Sequence, residues 1–168
     1  MRIALFAALL AQISSLTPRP GHAAVAASPL DVGAKPGTKV SLFVDVTPKS
    51  GIHVYAPGSK DYIAVAVKLT PQAQIKAGKL EYPKSEMMSF ADEQVPVFQK
   101  PFRITQDVTL DKSAKAGSKI TVTGKVDYQS CDDKVCYPPE SAPVTITVDN
   151  NAPTVSLAAA SALLRVAA

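Results

Sequence analysis

Two cysteines, Cys131 and Cys136, are the residues of this chain best suited to chemistry, and four residues separate them. They stand in the run Tyr128-Gln129-Ser130-Cys131-Asp132-Asp133-Lys134-Val135-Cys136-Tyr137-Pro138-Pro139-Glu140. In an oxidising compartment so close a pair is expected to form a disulfide. Closing a loop of about six residues is worth only about 2 kcal/mol, near the low end for a structural bridge. A sandwich fold is better stapled between its sheets, so a short local bridge is a weak staple and an accessible electrophile, which favours a redox role. The spacing is not C-x-x-C and no helix signal follows, which excludes a thioredoxin-type site. Asp132 and Asp133 disfavour a thiolate while Lys134 favours it.

Two other readings of the cysteines stay open at this level: a purely structural bridge, and a Cu(I) site drawing on Cys131, Cys136, His53, Met87 and Met88 as soft or borderline ligands. Against a metal site, no second cysteine pair exists, and a Met-Met pair in a loop is more often packing. No metal and no dissociable cofactor is expected. No nucleophile elbow or phosphate-binding glycine loop occurs, and Asp132-Asp133 is a poor catalytic acid pair because adjacent side chains point apart.

The elements that must position the cysteines read as strands. Val40, Leu42, Val44 and Val46 alternate with polar residues over Lys39 to Thr47, the period of a half-buried strand. Ile63 to Thr70, Lys119 to Tyr128 and Val144 to Val148 repeat the pattern, and Ile52–Tyr55, Gly78–Tyr82 and Phe102–Leu110 are weaker strands. Turns are expected at Lys35-Pro36-Gly37, Pro48-Lys49-Ser50-Gly51, Pro57-Gly58, Lys76-Ala77-Gly78 and Lys115-Ala116-Gly117. Pro83 to Lys100 has no clean period and is expected to be a long loop with short strand pieces. The 14 prolines in 168 residues also belong to turns and strand ends rather than to helix interiors. Together these predict an all-β, immunoglobulin-like antiparallel β-sandwich of seven or eight strands. The cysteines would then lie at the tip of the connection leading from the Lys119–Tyr128 strand to the Val144–Val148 strand.

The N-terminus predicts export. Met1-Arg2, nine apolar residues from Ile3 to Ala11, and small residues around Ala24-Val25-Ala26 are the parts of a secretory signal peptide. The expected division is a leader over 1–27, cut near Ala26 or Ala27, a redox domain over 28–150, and a tail over 151–168 whose Val155–Val166 stretch favours a short helix. Eighteen basic residues face 14 acidic ones. Losing Arg2 and Arg19 with the leader leaves 16 against 14, a net charge of +2. Lysines are scattered singly with no basic-aromatic cluster, so nucleic acid is not an expected partner. No run reaches the ~18 apolar residues of a membrane span.

Tyr128-Gln129-Ser130-Cys131 and Cys136-Tyr137-Pro138-Pro139-Glu140, with Gly51-Ile52-His53-Val54-Tyr55 and Pro57-Gly58 earlier, resemble the N-terminal periplasmic domain of the thiol:disulfide interchange protein DsbD. The resemblance runs from about residue 30 to 149. It implies a periplasmic electron carrier, a thiol:disulfide oxidoreductase whose Cys136 attacks partner disulfides and whose Cys131 resolves them. It implies thioredoxin-fold partners, among them disulfide isomerases and cytochrome c biogenesis factors, and reduction by a thioredoxin-like donor fed through a membrane domain. This chain carries neither of those domains, so a separate membrane electron donor is expected. By the same resemblance His53 and Tyr55 line the redox site, Phe90 caps it, and Tyr128 and Tyr137 flank it. His53 stands where an aromatic often stands. A non-enzymatic binding or adaptor module with a structural bridge is the alternative function.

Overall fold

Alternating apolar residues commit this chain to sheets whose inner faces must cover one another. The structure, a computed structural model, describes residues 21–29, 34–90 and 93–150. It contains eleven strands among these residues: β1 Ala23–Pro29, β2 Lys39–Pro48, β3 His53–Tyr55, β4 Ala66–Leu69, β5 Ile75–Glu81, β6 Glu86–Phe90, β7 Glu93–Phe98, β8 Phe102–Leu110, β9 Lys119–Tyr128, β10 Ser130–Cys131 and β11 Glu140–Asp149. Every pairing is antiparallel, in three sheets ordered β1-β2-β8-β5, β11-β9-β4 and β10-β3-β7-β6. The fold is the expected all-β, immunoglobulin-like sandwich.

The first two sheets make the sandwich. Val40 and Leu42 of β2 and Val108 and Leu110 of β8 pack against Ile120 and Val122 of β9 and Ile146 and Val148 of β11. Farther along, Val44, Val46 and Ile104 meet Val126, Tyr128 and Val144. These side chains are buried while their neighbours face out, so the period-two pattern is satisfied on both sheets. Burying each such side chain contributes about 1.5–3 kcal/mol. The third sheet closes one end, around Tyr55, Val95, Val97 and Cys131.

Four of the five expected turns carry a left-handed glycine: Gly37, Gly51, Gly58 and Gly117. The fifth, Lys76-Ala77-Gly78, is instead inside β5, where the register against β8 shifts between Ala77 and Leu80. The glycine marks a bulge and not a chain reversal. The buried Gln106 amide donates toward the carbonyls of Gly78 and Lys79 at 3.2 and 3.3 Å, satisfying groups the bulge takes out of the ladder.

Pro83 to Lys100 also differs from expectation. It is an ordered hairpin, β6 against β7, with pairs from Glu86–Val97 to Phe90–Glu93. Its first strand shows no buried face, and Pro96 interrupts the second, so alternation never reaches the length that identifies a strand.

The sheet begins earlier than the expected leader boundary. β1 pairs with β2 without interruption from Ala23–Pro48 to Pro29–Leu42, running through both Ala26 and Ala27. A cut there would split a seven-residue strand. Residues 1–20 of the expected leader and the expected tail from 151, with its expected helix, lie outside the described residues.

Candidate functional site: a disulfide at the end of the sandwich

β9 and β11 pair up to Tyr128 opposite Glu140, and the chain between them leaves the sheet to form the cysteine loop. The tip-of-connection placement expected from sequence is therefore observed. Within the loop Cys131 and Cys136 face each other as an antiparallel bridge. Tyr137 N donates to Ser130 O at 2.9 Å and Asp132 N to Val135 O at 3.0 Å. The cysteines are thus a non-hydrogen-bonded pair, the close rung of an antiparallel ladder. Their Cα atoms are 4.1 Å apart and the sulfurs are bonded. Asp132 shapes the turn between them, its Oδ1 accepting from the N–H groups of Lys134 and Val135 at 2.8 Å each.

The two sulfurs differ in environment. Cys131 is 1% exposed, in the small core of the third sheet. Cys136 is on the exposed side of the loop. Met87, one of the soft ligands considered with the cysteines, is exposed on β6. Among the described residues no three His, Cys, Asp or Glu side chains converge as a metal site.

β3 places the next residues. Its period of two puts His53 and Tyr55 on one face, where their rings meet edge-on with centroids 5.4 Å apart. His53 is paired directly with Cys131 across the β3–β10 ladder. It is 3% exposed and its Nε2 has no hydrogen-bond partner. Burial pushes its imidazole below the ordinary value, against the pull of Asp133 and Asp132. The Tyr55 hydroxyl lies 3.4 Å from Cys136 Sγ, and with the sulfur in a disulfide the hydroxyl is the donor. Burial, with Tyr62 adding to it, pushes the phenol up to about 12.

Phe90, at the end of β6, packs on this cluster. It reaches it through Tyr62, whose ring stacks on Tyr55 at 4.2 Å and meets Phe90 edge-on at 6.3 Å. Tyr62 escaped the sequence reading. It lies in the irregular stretch after Pro57-Gly58, and an aromatic among turn residues was the one signal available.

Tyr128 and Tyr137 take different places. Tyr128 is 2% exposed beneath the site, its hydroxyl 3.1 Å from Glu140 Oε2 and 3.3 Å from Ala23 O. Burial first, then the Glu140 charge, raises it to about 12. Tyr137 is half-buried beside Cys136 and donates to Asp132 Oδ2 at 2.7 Å. That bond, with the N–H groups of Val135 and Lys134, holds the Asp132 carboxyl down at about 2.

Residues 23–148 match the family model for the N-terminal region of the thiol:disulfide interchange protein DsbD. The chain belongs to that family. Family membership supports thiol–disulfide interchange as the chemistry at the family level. Among solved structures, the N-terminal periplasmic domain of ScsB from Proteus mirabilis is 15% identical with a TM-score of 0.51, the alignment covering 88% of this chain and 56% of that one. The chain therefore spans little more than half of that domain, and the likeness is one of fold. The DsbD N-terminal domain of Neisseria meningitidis in its reduced form is 20% identical with a TM-score of 0.44, over 74% of this chain and 84% of that one. No curated protein sequence matches the chain.

Proposed function

We propose that this chain is an exported, periplasmic thiol:disulfide oxidoreductase that passes reducing equivalents through Cys131 and Cys136 to thioredoxin-fold proteins. The observation that carries this reading is the asymmetry of the pair: Cys136 is exposed and Cys131 is buried behind it. An attacking sulfur must reach a partner, whereas a resolving sulfur needs to reach only its neighbour.

In the reduced protein Cys136 gives up its proton, and its thiolate attacks one sulfur of a partner disulfide. The Cys136–partner bond forms as the partner's own bond breaks, and the released partner sulfur takes up a proton. Cys131, losing its proton, then attacks Cys136 Sγ. The Cys131–Cys136 bond forms, the mixed disulfide breaks, and the second partner sulfur is protonated. Two electrons and two protons have moved to the partner, leaving the bridged state of this structure. A membrane or thioredoxin-like donor restores the dithiol by the same exchange in reverse.

The surrounding side chains have parts in this scheme. Tyr55 supplies a hydrogen bond to Cys136 that gains strength when the sulfur is anionic. Phe90 and Tyr62 cover Tyr55 and would be displaced when a partner docks, keeping the dithiol from unselective oxidants.

The test is trapping. With Cys131→Ser, a periplasmic thioredoxin-fold protein carrying an oxidised C-x-x-C pair should accumulate as a mixed disulfide with Cys136, visible on a non-reducing gel and released by dithiothreitol. Cys136→Ser should trap little or none. Equal trapping by both variants, or by neither, overturns the assignment.

A further inference from the structure

His22 lies in the stretch expected to leave with the leader, yet its side chain is built into the cysteine loop. Its ring stacks on Tyr137, with centroids 3.7 Å apart and planes 15° from parallel. Its Nδ1 is hydrogen-bonded to Glu140 Oε1, and its backbone N–H reaches both Glu140 oxygens at 3.1–3.2 Å. On the other side its carbonyl accepts from Lys49 N at 2.9 Å, tying it to the end of β2. Gly21 is packed closely enough that a Cβ there would run into the Glu140 carboxylate and the Tyr128 hydroxyl.

Tyr137 is the residue after Cys136, and it closes the loop by donating to Ser130 O and to Asp132. A ring stacked on Tyr137 thus acts on where Cys136 sits. While the disulfide is intact this adds little, because the bond already fixes the pair. Once it is reduced, the contacts of Tyr137 are what hold the two thiols at the spacing of one ladder rung.

We propose that His22 is a positioning residue of the redox site, retained in the working protein and stacked on Tyr137 to keep the Cys136 segment against Cys131. This rests on the redox reading above. Two consequences follow. The leader must be cut ahead of His22, which also leaves β1 whole. And loosening the stack lowers the effective concentration of one thiol at the other, so the disulfide becomes easier to reduce.

The experiment equilibrates the protein with glutathione, two glutathione thiols and the protein disulfide exchanging with one glutathione disulfide and the protein dithiol. Wild type is compared with His22→Ala, His22→Asn and His22→Phe, and urea midpoints confirm that each is folded. His22→Ala and His22→Asn, which lack the stack, should shift the equilibrium three- to tenfold toward the dithiol, about 15–30 mV at 29.6 mV per tenfold. His22→Phe, which keeps a ring on Tyr137, should stay within twofold of wild type. Three variants equal to wild type, or a Phe variant as shifted as the Ala variant, overturn the proposal. If wild type itself resists reduction by glutathione, the redox reading fails, and that result is distinct from either. The mass of the exported chain is the second arm: it should include His22, and a chain starting at Ala27 or Ser28 overturns the proposal.

Discussion

The hydroxyl of Tyr55 points at the sulfur of Cys136, 3.4 Å away, from a ring that is itself 1% exposed. A buried donor aimed at a sulfur does more for a thiolate than for a disulfide, since hydrogen bonds to ionised acceptors are roughly twice as strong as neutral ones. Tyr55→Phe should therefore raise the Cys136 thiol pKa in the reduced protein by about half to one unit, about 0.7–1.4 kcal/mol of lost thiolate stabilisation. Thiolate absorbance near 240 nm followed against pH reads this directly. An unchanged titration would show that the hydroxyl only packs.

The aromatic column over the site makes a kinetic prediction. Phe90 packs on the disulfide cluster and meets Tyr62, whose ring stacks on Tyr55, so Phe90→Ala opens the column at its outer end. The second-order rate of reduction by dithiothreitol should rise roughly three- to tenfold, while stability falls by about 1 kcal/mol, less than for a fully buried ring. A loss of stability of several kcal/mol with no change in rate would mark Phe90 as a core residue and not a cap.

His53 sets a pH dependence. Burial holds its folded-state value below the ordinary 6.5, so at neutral pH it is uncharged, with Asp133 and Asp132 only partly opposing the shift. The unfolded chain takes up the proton first as pH falls. The contribution to stability is thus complete above 6.5 and is lost as pH drops from there through the folded value. Urea midpoints should fall more for wild type than for His53→Phe between about pH 7.5 and about pH 5. Parallel falls would place the buried Nε2 elsewhere in the account.

Much of this architecture is written in the sequence, and what is missing is missing for physical reasons. Val40 to Val46 and Phe102 to Leu110 alternate because they face the interior of a two-sheet sandwich, and a period of two is what such packing requires. The hairpin of Glu86–Phe90 and Glu93–Phe98 covers one small end, where too few of its residues are buried to leave a period. The run Ala23-Ala24-Val25-Ala26-Ala27 is ambiguous by composition, since small apolar residues serve both a leader-cleavage site and a strand lying along a sheet edge. The strand is made by pairing with β2, and pairing is a long-range property. At the site, Cys131 and Cys136 stand out by their spacing alone, whereas His53 and Tyr55 follow from the resemblance and from sharing one face of a strand. Tyr62 and His22 could not be found in this way, because their places depend on ring stacks that no sequence period marks: Tyr55 lies seven positions away across a turn and Tyr137 lies 115 positions away.

The role proposed for the Cys131–Cys136 bridge is to carry electrons and not merely to staple a loop. It is tested most directly by the reduction potential of the pair in the processed wild-type protein, equilibrated against glutathione and dithiothreitol buffers and read by alkylation and mass. An electron-carrying pair should have a potential between about −180 and −270 mV, the range from protein disulfide isomerase to thioredoxin. A value below about −300 mV, with the bridge intact in excess glutathione, would contradict it and make the disulfide a structural one.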